Sequence, residues 1–201
     1  GLCLGDIVGW NHSLYPEYNS IMDSTGIEWR NVMGNHDMTN YGRSFEGSTR
    51  DYEKMYGPSY YSFNVGKVHY IVLNNNFYVG KDWYYIGYLT EQQLSWMERD
   101  LSYVGKDKKV VVSLHIPTTL REWDRTGYNF NFSHIADVMC NRKAVYDILA
   151  PYDALILSGH THTGNNEIIA ENLMEHNVTS LGGAWWCGPV CVDGGPAGYK
   201  I

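Results

Sequence analysis

The chain has 201 residues, 44% of them hydrophobic, and a formal net charge of -7. Such a length supports one domain with a sizeable core, and no apolar run approaches the roughly 18 residues of a membrane span. The carboxylate excess argues against a nucleic-acid platform built on Lys and Arg, and a phosphorylated partner would need local positive charge, which metal ions supply compactly.

In chain order, Leu2 to Leu4 reads as a strand that delivers Gly5-Asp6. The polar loop Trp10-Asn11-His12-Ser13 follows, and His12 reads as a solvent-facing loop histidine beside Asp6, because one His without a spaced partner specifies nothing. A helix is predicted from Pro16 to Thr25, with Ile21 and Met22 inward and Gly26 as its stop, and then a strand from Ile27 to Met33. A short helix over Arg50 to Met55 ends at Gly57-Pro58. Tyr60 to Val65 and Val68 to Leu73 form a hairpin about Gly66-Lys67, rich in β-branched and aromatic residues, with His69 as a cross-strand packing residue. Asn74-Asn75-Asn76 opens a loop reaching Gly87.

Thr90 to Gln93 is a capping-box pattern, and Leu94, Met97 and Leu101 form the core stripe of the helix it starts. Val110 to Leu114 lacks alternation, as in a strand covered on both faces. Residues 116 to 140 have little periodicity and read as an insertion over the site. Asn141 caps a helix running to Ala150, stopped by Pro151. Asp153 to Ser158 is a buried strand, Glu167 to Ala170 and Asn177 to Leu181 are short strand candidates, and a Gly-Trp-Pro-rich tail follows. Alternating strands and helices give an α/β class, with 1-201 as a single domain. The cysteines Cys3, Cys140, Cys187 and Cys191 lack a Cys-x-x-Cys pair, and their spacing establishes no disulfide.

The stretch that organises the rest is Gly34-Asn35-His36-Asp37, where an amide, an imidazole and a carboxylate follow a strand and a glycine. Its companions are Gly5-Asp6, His115, and Gly159-His160-Thr161-His162, each just past a strand-like run, so that four loops can converge at one sheet edge. Each motif alone is ordinary turn chemistry. Together they form a mixed oxygen and nitrogen donor set suited to Mn, Fe, Zn or Co.

In this order the motifs resemble the calcineurin-like metallophosphoesterase superfamily. The resemblance implies two packed mixed β-sheets flanked by helices, and hydrolysis of phosphomonoesters or phosphodiesters by a metal-activated water. It implies that Asp6 bridges two divalent ions (Mn, Fe or Zn), that Asn35, His115 and His160 complete one site, and that His162 serves the other. It implies further that His36 is the general acid, with Asp37 hydrogen-bonded to it. The family's Asp-x-His motif is missing and is expected upstream of Gly1, so the chain reads as N-terminally truncated, with one tight metal site. A catalytically impaired metal-binding or scaffold module is the alternative.

For the small phosphorylated substrate, Arg121 and Arg125 can clamp an anion or be solvated surface, and His134 falls in the same category. Trp185 and Trp186 can stack on a base or sugar or pack in a core, with Trp186 the candidate substrate contact. The hairpin Tyr60 to Leu73, Tyr88-Leu89, Gln93-Leu94, Ser158 to Thr163 and the Trp pair resemble a bacterial multidomain subgroup. That likeness implies further domains on both sides and an extracytoplasmic, periplasmic or secreted, location.

Overall fold

A computed structural model describes residues 1–80, 84–119, 132–188, 190–191, 194–195 and 198, with the backbone alone for 132–134 and 187. The first strands are the two-residue parallel pair β1 (Leu2–Cys3) and β2 (Arg30–Asn31), with helix α1 (Tyr15–Asp23) between them. Helix α2 (Phe45–Tyr56) precedes the hairpin β3 (Tyr61–Val65) and β4 (Val68–Val72), and β5 (Asn76–Gly80) pairs antiparallel with β6 (Tyr84–Gly87). Then come α3 (Glu91–Leu101), β7 (Lys109–Ser113), α4 (Phe132–Asp137), α5 (Arg142–Leu149), β8 (Asp153–Ser158), β9 (Asn165–Ala170) and β10 (Leu173–Asn177). A short pair, β11 (Trp186–Cys187) and β12 (Val190–Cys191), follows.

Six strands make one mixed sheet in the order β3-β4-β7-β8-β10-β9. Its four inner strands run parallel and both edges are antiparallel. β7 carries the continuous apolar run because both its faces are covered. Leu94, Met97 and Leu101 of α3 and Val145 and Leu149 of α5 pack on Ile71, Val110, Val112, Ala154 and Ile156. Burying each Val, Leu, Ile or Met side chain among these stabilises the fold by about 2 kcal/mol. A second cluster of Ile7, Tyr15, Met33, Met38, Tyr52 and Tyr78 lies under α1 and α2.

Several elements differ from expectation. α1 turns Tyr15 inward, while Ile21 is exposed. The last sheet strand covers Leu173–Asn177 rather than 177 to 181, since pairing with β8 begins at Leu173 and Ala154. Thr90 caps α3 through its Oγ1, which accepts the Gln93 N–H at 3.2 Å, but the Gln93 side chain does not reach back. It bonds the backbone of Asn74 at both ends instead. Asn141 likewise makes no side-chain cap for α5, because its amide is spent on the N–H and C=O of Leu89. Cys3, Cys140 and Cys191 are free thiols. Of the proposed insertion, residues 120–131 lie outside the described residues.

Candidate metal centre

Four chain segments deliver the site. β1 leads into Gly5 and Asp6, whose φ angles of 97° and 53° turn the carboxylate out of the strand direction. β2 leads to Gly34, where a Cβ would collide with the backbone nitrogen and Oδ1 of Asp6, so only glycine allows the loops to touch. The 3₁₀ turn Asn35–Asp37 follows, anchored by the His36 N–H donating to Asp6 Oδ1 at 2.9 Å. His115 and His160 come just after the neighbouring parallel strands β7 and β8, with His160 and His162 at φ 68° and 58°. A left-handed backbone at three non-glycine residues of the motifs is strain retained by the surrounding contacts.

These segments converge on one atom. Nδ1 of His115 lies 2.7 Å from the Leu4 carbonyl, which can only accept, so Nδ1 carries a proton and, in the neutral ring, Nε2 offers a lone pair. Around that Nε2 stand Asn35 Oδ1 at 3.0 Å, His160 Nδ1 at 3.1 Å and Asp6 Oδ2 at 3.3 Å. Lone pairs gathered in this way repel one another unless a proton or a metal cation sits among them, and Asp6, His115 and His160 can each offer one ligand atom to a single ion.

The electrostatics agree. Burial penalises the charge on Asp6, yet His115 and His36 beside it hold the carboxyl well below its usual range. Burial likewise disfavours charge on His115, but Asp6 outweighs it and pulls the imidazole up. Positive charge is therefore favoured at this point. Burial pushes His160 down, which keeps it neutral and able to ligate. Its Nε2 is 3.5 Å from Asp137 Oδ1, too long for a hydrogen bond.

His36 and Asp37 are adjacent, but their side chains do not meet. The fully buried Asp37 carboxylate accepts from Gly34 N at 2.8 Å, Ile7 N at 3.3 Å and Tyr15 Oη at 3.1 Å, holding the turn from within. Burial and the nearby Asp6 push its carboxyl up to about 7. The His36 ring packs on Trp10, centroids 4.4 Å apart, and its Nδ1 is buried without a partner among the described residues. The expected orientation of His36 by Asp37 is thus replaced by support from Trp10, because successive side chains of a 3₁₀ turn diverge by about 120°.

His162 stands outside the cluster, its ring stacked on Trp185 at 4.0 Å and its pKa lowered by burial to about 4. Trp186 is half exposed, with its indole N–H donating to the Ser180 carbonyl at 3.1 Å, so Trp185 is the tryptophan nearer the site. Arg121 and Arg125 lie outside the described residues, as does the side chain of His134, whose backbone belongs to α4.

Three supports lie outside the motifs. Asn74, Asn75 and Asn76 are fully buried at the end of β4. Asn75 clamps the Ile116 peptide, donating to its oxygen at 2.6 Å and accepting from its nitrogen at 3.1 Å, while Asn76 donates to the Met33 carbonyl at 2.7 Å. Glu175 accepts from Thr118 N, Thr118 Oγ1 and Ser158 Oγ at 2.9, 2.6 and 2.7 Å, tying the segment after His115 to the end of β8. The hydroxyls of Tyr52 and Tyr61 both donate to the Asn31 carbonyl, and that of Tyr18 to its side chain. Three consecutive amides at the same sheet edge as the motifs were the available signal for the first of these. Glu175 gave no local signal.

The sequence model of the calcineurin-like phosphoesterase family matches residues 2–164. The chain is 28% identical over 105 residues to purple acid phosphatase 15 of Arabidopsis thaliana, covering 51% of this chain and 17% of that protein. It is 30% identical over 135 residues to the human serine/threonine-protein phosphatase CPPED1, covering 65% of this chain and 40% of that protein. It therefore spans well under half the length of these relatives. Among solved structures, a dimetal phosphatase from Danio rerio superposes with a TM-score of 0.64 at 15% identity, over 89% of this chain and 71% of that one. Purple acid phosphatase PPD1 from Lupinus luteus superposes with a TM-score of 0.60 at 13% identity, over 98% of this chain and 37% of that one. With the match extending from Leu2 through the Gly159 to His162 loop, the chain belongs to the calcineurin-like phosphoesterase family.

Proposed function

We propose that the chain is a metal-dependent hydrolase of small phosphomonoesters or phosphodiesters. The observation that carries this reading is the gathering of Asp6, Asn35 and His160 around His115 Nε2, with His36 beside it. Asp6, Asn35, His115 and His160 would hold one divalent transition ion tightly (Mn, Fe or Zn), and Asp6 with His162 would hold a second loosely. Ions bound there would neutralise phosphate charge and activate the attacking water. Asp6 presents one oxygen to that site while its other oxygen accepts the His36 N–H. His36, whose Nδ1 is committed to no partner, would carry a proton to the departing oxygen. Further domains of the same polypeptide and an extracytoplasmic setting belong to the same proposal and are supported by the subgroup resemblance.

The test is release of phosphate from a panel of mono- and diesters by the Mn-loaded chain, with and without a chelator, and in His36→Ala. Turnover should vanish with chelation, and the variant should lose roughly 100-fold or more in kcat at unchanged metal content. A specific observation keeps the impaired module as a second reading: His162 stacks on Trp185 outside the ligand cluster. Metal binding without turnover of any ester would favour it.

A further inference from the structure

His12 lies against the catalytic turn and has no part in the chemistry above. Sequence alone suggests a solvent-facing loop residue, yet its side chain is only 13% exposed and both ring nitrogens are engaged. Nε2 is 3.0 Å from the His36 carbonyl oxygen, and since a carbonyl only accepts, this nitrogen carries a proton and donates it. Nδ1 is 3.2 Å from Asp51 Oδ2 on α2. Asp51 is itself tied to the segment after the turn, its N–H donating to Thr39 Oγ1 at 2.8 Å. The imidazole face stacks on Tyr15, centroids 5.2 Å apart and planes 10° from parallel, and Tyr15 Oη donates to Asp37 Oδ1.

The consequence is local. The backbone of His36 is held at both ends, its N–H by Asp6 Oδ1 and its C=O by His12 Nε2. Fixing both peptide planes fixes the direction in which the His36 side chain leaves the backbone. From the side chain the contact with Trp10 supports the ring, but no hydrogen bond among the described residues orients it, since Asp37 faces away and Nδ1 is unpartnered. We propose that His12 is a positioning residue for proton transfer by His36, with Asp51 orienting His12, an inference that rests on the hydrolase reading above. Misplacing a proton donor hurts esters with poor leaving groups, which need the proton, far more than esters whose leaving group departs as a stable anion.

The test compares His12→Phe, which keeps the stack on Tyr15 but removes the donor to the His36 carbonyl, with His12→Gln, whose amide nitrogen can reach that carbonyl. In the metal-loaded protein, kcat of His12→Phe on glycerol phosphate should fall about tenfold, and on 4-nitrophenyl phosphate by no more than about twofold, with KM and metal content unchanged. His12→Gln should recover most of the loss. Asp51→Ala, at a half-exposed position, should show the same leaving-group dependence more weakly. Equal losses on both esters, or none, would overturn the proposal. A second readout does not need turnover: the amide 15N–1H resonance of Asp37, in the peptide that carries the His36 carbonyl, should move in zinc-loaded His12→Phe and return in His12→Gln. An unmoved resonance overturns the proposal even if both esters are cleaved. A wild-type chain that cleaves neither ester removes the hydrolase reading and leaves this resonance to decide whether His12 holds the turn.

Discussion

Gly34 is where two of the site's loops touch, and the contact has no room for a side chain. A Cβ there would meet the nitrogen, Oδ1 and Cα of Asp6, atoms that cannot give way without displacing the carboxylate. Gly34→Ala should cost roughly 3 kcal/mol or more in urea denaturation and sharply reduce Mn retention. Asp37 offers a second test at this scale. Its carboxylate receives two backbone N–H groups and a tyrosine hydroxyl, and an asparagine would turn an NH2 toward donors. Asp37→Asn should therefore lower stability by about 1 to 3 kcal/mol, a loss legible in the same denaturation curves. The convergence of Asp6, Asn35, His115 and His160 was legible in the sequence because each sits in a short motif next to a strand, whereas His162, in the same motif as His160, stands outside the cluster. The direction in which Asp37 points was not, because it depends on Tyr15 and Ile7, brought in from separate segments.

Elements whose signal lies in their own residues were legible: the hairpin β3–β4, the capped helix α3 and the covered strand β7. Polar side chains inside those elements were misread wherever the partner is distant. Gln93 bonds Asn74, 19 residues away, and Asn141 bonds Leu89, 52 residues away, so local capping rules had no access to the competing bond. The Asn74 to Asn76 run shows how an element end serves the site. Asn75→Ala would leave the N–H and C=O of Ile116, the residue after His115, without their partners. A loss of about 2 kcal/mol is expected, together with weaker Mn binding, and calorimetric titration of the variant against wild type checks both.

At the scale of the whole molecule, His115 and His160 follow neighbouring parallel strands, so the sheet order itself brings two imidazoles together from residues 45 apart. Ligands at the carboxyl ends of parallel strands are a general outcome of α/β architecture. The placing of β10 beside β8, with β9 outermost, was not legible, because both are short and their order is set by pairing partners. Since the ion would join loops from both ends of the chain, binding should stabilise the fold globally. With Mn at 100 times its dissociation constant the gain should be about 2.7 kcal/mol, seen as a Tm that falls on adding a chelator.

The most direct test is the metal-to-protein ratio by elemental mass spectrometry after Mn loading and desalting, in wild type and in His115→Ala. A ratio near one in wild type, falling to near zero in the variant, is the predicted result. A wild-type ratio near zero, or one that His115→Ala leaves unchanged, would contradict a metal centre built on His115.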